Sequence, residues 1–183
     1  MSATAIIFGI NGQDGFYLSK LLENNGVSII GVSRKDDTEF SGIHNFEWVK
    51  YLIEQHQPEY IFHLAAASTT NHQSLFDNYR AISTGSINIL EAAKVSSPHS
   101  KIFISGSGLQ FKNKGLPIKE SDPFEARDAY SLCRIQSVYA ARYYRSQGLK
   151  TYVGYFFNHD SPRRTERHIS KMIANAVKRI ANG

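Results

Sequence analysis

Apolar and polar positions follow two recurring patterns along this chain. Short, mostly apolar runs suit strands buried on both faces, whereas apolar residues three and four apart suit amphipathic helices. The predicted strands are residues 4–9, 27–33, 60–64, 101–105 and 151–157. The predicted helices are approximately residues 14–25, 47–57, 73–94, 128–147 and 164–181, with Gly26 and Pro58 as signals that end the first two.

The alternation of strand and helix predicts the fold class. Repeated strand–helix units are typical of an α/β protein with a Rossmann-like, doubly wound parallel sheet and helices on both faces. A regular fold of this kind has a further strand where residues 35–45 lie, but no apolar run of convincing length occurs there. We therefore expect that stretch to be short or irregular.

Composition excludes several other classes of protein. The 183 residues are 42% hydrophobic and 20% charged, which is typical of a folded globular chain. Cys133 is the only cysteine, which excludes an intrachain disulfide and a cysteine-based metal site, and no cluster of histidine and carboxylate suggests a metal. The net charge of +5 comes from scattered, mixed charges, so we expect no nucleic-acid partner. No apolar run is long enough for a membrane helix and the first residues lack a leader pattern, so we expect a soluble, cytoplasmic protein.

A glycine-rich turn joins the first predicted strand to the first predicted helix. Its glycines, Gly9, Gly12 and Gly15, let the backbone turn tightly and let a diphosphate approach the unpaired N–H groups of the helix start. The alternative is that the glycines serve only a tight turn. The dinucleotide interpretation predicts as cofactor-binding residues Gly9, Asn11, Gly12, Gln13, Asp14 and Gly15.

The end of the second predicted strand favours one cofactor over another. An NAD-selective protein has an acidic residue there, but this chain has Ser33, Arg34 and Lys35. A small residue followed by cations suits the 2′-phosphate of NADP, so NADP is predicted in preference to NAD. The alternative is that both cations are only solvated loop residues.

Four stretches carry a resemblance to a known family. They are GINGQDGFYLSKLL at 9–22, HLAAAS at 63–68, YSLCR at 130–134 and, most specific of all, FNHDSPRR at 157–164. With them the chain resembles the extended short-chain dehydrogenase/reductases of the NAD-dependent epimerase/dehydratase type, most closely the GDP-mannose 4,6-dehydratases. The resemblance implies an NAD(P)-binding domain at 1–157 and, at 158–183, the start of a substrate-binding portion. Family members are longer, so the substrate domain is truncated or absent, in a fragment or in a naturally short protein.

The resemblance also implies roles for particular residues. Tyr130 matches the catalytic tyrosine of the family, and Arg134 stands where the family has lysine, on the same helix face. Both also belong to the implied cofactor site. The other residues implied to contact the cofactor are Leu64, Ala65, Ala66 and Phe157, and those implied to contact the substrate are Asn158, Arg163 and Arg164, with Arg167 nearby. The alternatives are that residues 63–67 are only a strand end of small residues packed against a helix, and that the arginines are only a solvated basic helix end. His159 is interpreted as a packing or hydrogen-bonding residue rather than a general base.

Two departures from the family pattern concern the chemistry. The catalytic Ser/Thr of the family falls on Gly106 and the glutamate of the dehydratases falls on Gly108, while Ser105 or Ser107 would stand in if the loop shifted by one residue. An arginine at 134 keeps the positive charge but does not relay a proton.

The sequence therefore leaves two hypotheses of function. The first is an NADP(H)-dependent enzyme of the epimerase/dehydratase type that transfers hydride at a ring carbon of a nucleotide sugar, a GDP-sugar by resemblance. Ketone reduction or epimerisation is then more accessible than dehydration, which needs the missing carboxylate. The second is a degenerate dinucleotide-binding protein without sugar chemistry. By resemblance we also expect a homodimer, formed through a four-helix bundle of the helices predicted at 73–94 and 128–147.

Overall fold

The computed structural model describes residues 3–38, 41–164, 166 and 168–182. Five parallel strands form one sheet in the order β2-β1-β3-β4-β5. Their bounds are β1 Thr4–Phe8, β2 Ser28–Val32, β3 Tyr60–His63, β4 Lys101–Ser107 and β5 Lys150–Phe156. All five predicted strands are confirmed, since apolar runs between turn signals are long enough to specify strands locally.

The helices connect and cover these strands. They are α1 Gln13–Asn24, α2 Phe46–His56, α3 Leu75–Asn78, α4 Gly85–Ser96, α5 Ala129–Ser146 and α6 Ile169–Ala181. Local caps set several ends: the Asn45 side chain accepts from the Trp48 N–H at the start of α2, and Gly26, with φ of 74°, follows α1. Asp128 and Ser131 form a reciprocal capping box at the start of α5.

The helix predicted at residues 73–94 differs from a regular α-helix. Between α3 and α4 the residues Tyr79–Thr84 form a π-helical segment. There the Ile82 carbonyl lies 3.4 Å from His63 Nε2, and the Ser83 hydroxyl donates to Gln136 Oε1 at 2.7 Å. These contacts reach β3 and α5, so the wider turns are tied to tertiary partners that helical periodicity does not reveal.

Helices lie on both faces of the sheet. Helices α2, α4 and α5 pack side by side over one face, where Ile61, Ile102 and Ile104 are fully buried. The adjacent residue Phe62 points the other way, and there Leu18 of α1 lines a cavity with it. The doubly wound, Rossmann-like sheet is therefore confirmed.

The stretch after β2 is irregular, as predicted. Residues Arg34–Asp36 form one 3₁₀ turn, and no strand occurs among the described residues of 35–45. Within the described residues, none of the helices combines the length and apolarity needed to cross a bilayer.

Candidate functional site

The carboxyl ends of the parallel strands bring the predicted site residues to one edge of the sheet. Ligands of doubly wound proteins bind at this edge because the strand-to-helix connections meet there. The turn after β1, the loops after β3 and β4 and the segment after β5 all lie at it.

The glycine turn is built from close backbone approaches. Gly9 has φ of 96°, and a Cβ on it would lie 2.8 Å from the Ala65 backbone nitrogen. A Cβ on Gly15 would overlap the carbonyl oxygen of Gly9. Among the described residues, the neighbour that a Cβ on Gly12 would meet is that same oxygen, at 3.2 Å, and Gly12 itself has no side chain with which to cap α1. The first N–H groups of α1 thus have no cap behind an exposed glycine, an arrangement that fits a dinucleotide diphosphate.

The neighbouring segments complete this end of the site. Asn11 is exposed and Gln13 and Asp14 are half-buried around the helix start, while Leu64, Ala65 and Ala66 are half-buried beside Gly9. After β2, Ser33 is half-buried and its hydroxyl accepts from the Lys35 N–H at 3.3 Å. Arg34 is exposed at the same edge. The structure thus brings all the residues of the predicted cofactor site from these segments to one edge.

Tyr130, Arg134 and Ser105 lie together at the ends of α5 and β4. Arg134 is only 4% exposed, and its Nη1 donates to the Ser105 carbonyl at 2.5 Å and to the Ser105 hydroxyl at 2.7 Å. The guanidinium carbon lies 5.1 Å from the centre of the Tyr130 ring. The Arg134 side chain, which the resemblance places in the cofactor site, therefore binds the protein's own β4, while its charge stays beside the tyrosine.

His63 extends this buried group. Its imidazole is fully buried, and desolvation, with the charge of Arg134 as a smaller cause, lowers the pKa of His63 to about 3. The carbonyl of the same residue accepts from the Ser105 hydroxyl at 2.7 Å. A neutral histidine and a paired serine thus surround the buried guanidinium. The HLAAAS motif at 63–68 includes His63, but the sequence does not indicate that its imidazole is buried.

The hydroxyls of Ser105 and Ser107 both form hydrogen bonds within the protein. Ser105 is 1% exposed and Ser107 is 6% exposed. The Ser107 hydroxyl accepts from the Leu109 N–H at 3.2 Å and so caps the 3₁₀ turn Gly108–Gln110. Either serine would have to leave these partners to reach a substrate oxygen, and their catalytic role stays a prediction.

The aromatic rings of Tyr155 in β5 and of Phe157 just after it fill the places of the side chains missing at 106 and 108. A Cβ on Gly106 would lie 2.6 Å from Cδ1 of Tyr155, and a Cβ on Gly108 would lie 2.7 Å from Cδ1 of Phe157. Real Cβ atoms do not approach other atoms this closely. Sequence reasoning noted the two glycines and missed the two rings, because Tyr155 and Phe157 are remote from these glycines in the sequence.

The segment after β5 folds back onto α1. His159 Nε2 lies 2.8 Å from Asp14 Oδ1, and the Arg163 guanidinium lies 3.8 Å from the centre of the Phe16 ring. Arg164 binds the carbonyl of His159 at 2.8 Å, and Asn158 is exposed. The residues implied to contact the substrate therefore lie next to those of the diphosphate turn. Arg167 lies outside the described residues.

Two cavities lie beside the segment that follows β5. One, of about 230 Å³, is apolar and is lined by Asp14, Leu18, Phe62, Leu64, Phe103 and Phe156. The other, of about 400 Å³, is lined by Asp160, Ser161, Pro162, Ser170, Lys171 and Ala174. In the part of the chain that the structure describes, no group of histidine, cysteine and acidic residues is arranged to hold a metal ion.

Comparison with known proteins agrees with this architecture. The model of the NAD dependent epimerase/dehydratase family matches residues 5–183. Among curated proteins, GDP-mannose 4,6 dehydratase 2 of Arabidopsis thaliana is 27% identical over an alignment 209 positions long, which covers 98% of this chain and 56% of that protein. The chain thus spans little more than half the length of this relative.

Solved structures show the same fold. The enzyme WbmH of Bordetella bronchiseptica, in complex with NAD⁺, superposes with a TM-score of 0.77 at 20% identity and covers 100% of this chain and 64% of its own. The dTDP-4-dehydrorhamnose reductase of Bacillus anthracis, in complex with NADP, has a TM-score of 0.71 at 19% identity. The superposition covers 86% of this chain and 54% of the reductase chain.

Proposed function

Since this chain belongs to the NAD dependent epimerase/dehydratase family, we propose that it binds a nicotinamide dinucleotide at the carboxyl edge of its sheet and transfers hydride at a ring carbon of a nucleotide sugar. The uncapped start of α1 behind the exposed Gly12 is the observation that carries this proposal. The named activity of the Arabidopsis relative makes a GDP-sugar the first substrate to test.

Residues from four connections would hold the dinucleotide. The diphosphate would lie against the first N–H groups of α1, with Gly9 and Gly15 keeping the turn close to β3. Arg34, exposed after β2, would pair with a 2′-phosphate, which supports NADP as the preferred cofactor. The remaining contacts would come from Leu64–Ala66 after β3 and from Phe157 after β5.

The chain's own groups would handle the proton. The bound nicotinamide would supply or accept hydride, and the Tyr130 hydroxyl would transfer the proton at the reacting sugar oxygen. Arg134 keeps a fixed positive charge beside the Tyr130 ring but, as a guanidinium bound to Ser105, relays no proton. Asn158, Arg163 and Arg164 would bind the phosphates of the sugar nucleotide.

Dehydration is not included in the proposal. It needs an acid for the departing hydroxyl, yet Gly108 has no side chain and the ring of Phe157 lies against it. Ketone reduction needs one hydride and one proton at the reacting oxygen. Epimerisation at a carbon that bears a hydroxyl group removes that hydride and proton and then returns both, with the hydride added to the opposite face, so neither reaction needs an acid for a departing hydroxyl.

A second candidate is dinucleotide binding without sugar chemistry. Gly106 and Gly108 favour it, because they lack the two side chains that the resemblance places around the reacting atoms. Aromatic rings fill the space that those side chains would take. The loss of one donor to a reacting oxygen typically lowers the rate by about 10²–10³.

One experiment separates the candidates. NADPH and NADH are titrated by fluorescence, and product from a GDP-4-keto-sugar or GDP-mannose is then followed with wild type, Tyr130→Phe and the control Tyr143→Phe, an exposed tyrosine on the same helix. The enzyme hypothesis predicts that Tyr130→Phe, and not Tyr143→Phe, lowers turnover by at least ~10²-fold while dinucleotide binding is retained. Binding without turnover in any variant supports the second candidate. Failure to bind either dinucleotide contradicts both.

The cofactor preference has its own measurement. Arg34→Ala is expected to weaken NADPH binding about tenfold while leaving NADH binding nearly unchanged, since only NADPH carries the 2′-phosphate. Equal weakening of the two would contradict the preference for NADP.

A further inference from the structure

The segment 157–164, which we call the clasp segment, is fastened to the first turn of α1 by side chains. His159 Nε2 lies 2.8 Å from Asp14 Oδ1, and the Ser161 hydroxyl donates to Gln13 Oε1 at 2.8 Å. The Arg163 guanidinium covers the Phe16 ring at 3.8 Å. Each contact joins positions more than a hundred residues apart, and together they close the end of β5 over the start of α1.

The ring of His159 has an acceptor at each nitrogen. Nδ1 lies 2.7 Å from the Phe157 carbonyl oxygen, and Nε2 lies 2.8 Å from the Asp14 carboxylate. A backbone carbonyl and a carboxylate only accept hydrogen bonds. A neutral imidazole carries one N–H and satisfies one of them, so only the imidazolium makes both bonds.

The charges around the ring are mixed. From α1 it faces Asp14 and the partly positive start of the helix, and from its own segment it faces Asp160 and Arg164, which pair with each other at 3.3 Å. The Phe156 ring packs against it at 5.5 Å. The hydrogen bond to Phe157, followed by that to Asp14, raises the pKa of His159 above its usual value, against opposition from burial and Arg164.

We propose that His159 is a positioning residue which, as an imidazolium, holds the clasp segment closed on the first turn of α1, and that the clasp loosens when the ring loses its second proton. Closure keeps Asn158, Arg163 and Arg164 beside that turn. Because the pKa of His159 is raised in the closed state, the stabilisation is fully present below about pH 6.5 and is lost as pH rises through the raised pKa.

The clasp also affects anion binding at the helix start. In the proposed function, on which this step rests, a diphosphate lies at the turn that carries the Asp14 carboxylate. The two negative charges repel, and the imidazolium of His159 offsets the carboxylate. We expect the affinity for NAD⁺, whose diphosphate charge is constant in this range, to fall about two- to fivefold between pH 6 and pH 8.5, as for one half-exposed ion pair.

The first test needs no cofactor. Hydrogen exchange of the amides of residues 157–164, corrected for the intrinsic effect of pH, is measured at pH 6 and pH 8.5 for wild type, His159→Gln, Asp14→Asn and the control His56→Gln. His56 is an exposed histidine at the end of α2. Protection in wild type and the control is expected to decrease at pH 8.5, whereas both clasp variants lack the difference. The NMR titration of the His159 ring should show a lower pKa in Asp14→Asn.

The outcomes separate the clasp from the proposed function. Protection that is the same at both pH values, or unaltered by His159→Gln, overturns the clasp whatever the protein binds. The second test, calorimetric titration of NAD⁺ at both pH values, should show the loss of affinity in wild type and not in His159→Gln. If neither NAD⁺ nor NADP⁺ binds at either pH while the exchange result holds, the proposed function fails and the clasp remains.

Discussion

At the scale of single residues, the structure explains two glycines that depart from the family pattern. Tyr155 and Phe157 occupy the places that side chains at 106 and 108 would take. The double substitution Gly106→Thr with Arg134→Lys would therefore not produce the site of the family. The new side chain would meet the ring of Tyr155, and the lysine would lose the paired bonds of Arg134 to Ser105.

Gly106→Ala tests this packing. We expect it to lower the free energy of unfolding in urea by about 1–3 kcal/mol, because the added methyl overpacks against Tyr155. In a Tyr155→Val background the same change should cost clearly less, which a double-mutant cycle measures as coupling. A neutral Gly106→Ala in the wild-type background would contradict the contact.

His63 provides a prediction on pH. Its pKa of about 3 in the folded protein lies below the ordinary value near 6.5, so the unfolded chain binds the proton more readily and stability falls as pH drops below 6.5. His63→Gln should remove this contribution, about 2 kcal/mol between pH 7 and pH 5. Urea unfolding at both pH values is the measurement, and His56→Gln should behave as wild type. Parallel pH profiles for wild type and His63→Gln would contradict the assignment.

At the scale of elements, the start of α1 depends on contacts rather than on helix propensity. Propensity alone makes alanine better than glycine inside a helix by about 1 kcal/mol. At Gly15 the contact with the Gly9 carbonyl oxygen opposes this gain, whereas at Gly12 the nearest atom to a Cβ lies at 3.2 Å. A side chain at Gly15 is therefore excluded by contact with the backbone, whereas at Gly12 there is more space for one.

The pair Gly15→Ala and Gly12→Ala separates those reasons. Gly15→Ala should lower the free energy of unfolding by about 1–3 kcal/mol because the backbone must move. Gly12→Ala should stay within about 1 kcal/mol of wild type and yet weaken dinucleotide binding, since it adds a methyl group in front of the helix start. Stability is read from urea unfolding and affinity from NADPH fluorescence. A stabilised Gly15→Ala would show that propensity outweighs the contact.

The π-helical segment shows what periodicity misses at this scale. The apolar pattern of residues 73–94 predicts a helix and its approximate length correctly. It does not predict the widened turns of Tyr79–Thr84, because their partners His63 and Gln136 come from other elements. The described residues of 35–45, in contrast, were predictable as irregular, since a missing apolar run is itself a local signal.

At the scale of the whole molecule, the exposed apolar side chains of the described residues include two sets on helices. One face of α6 exposes Ile169, Met172, Ile173, Val177 and Ile180. Helices α3, α4 and α5 lie together and expose a second set, Phe76, Ile87, Leu132, Tyr139 and Tyr143. The second set lies on the helices from which the dimer was predicted, so we keep the homodimer as a proposal.

Ile87→Glu tests that dimer. Placing a charge in a buried helix interface should shift the monomer–dimer equilibrium toward monomer by at least about tenfold. Sedimentation velocity over a concentration series gives the equilibrium. Tyr51→Glu, at a similarly exposed position on α2, is the matched control and should sediment as wild type. A wild-type chain that is monomeric at all concentrations would contradict the dimer.

The sequence by itself determined the order of the strands and helices along the chain, the family and the position of the glycine turn. These features depend on local periodicity, on backbone freedom at single residues and on short motifs, all of which are present before the chain folds. Only the tertiary structure decided how Arg134 is bound to Ser105, which rings lie against Gly106 and Gly108, and that His159 meets Asp14. Each of these contacts joins residues from different elements, and its geometry depends on how the sheet and helices pack.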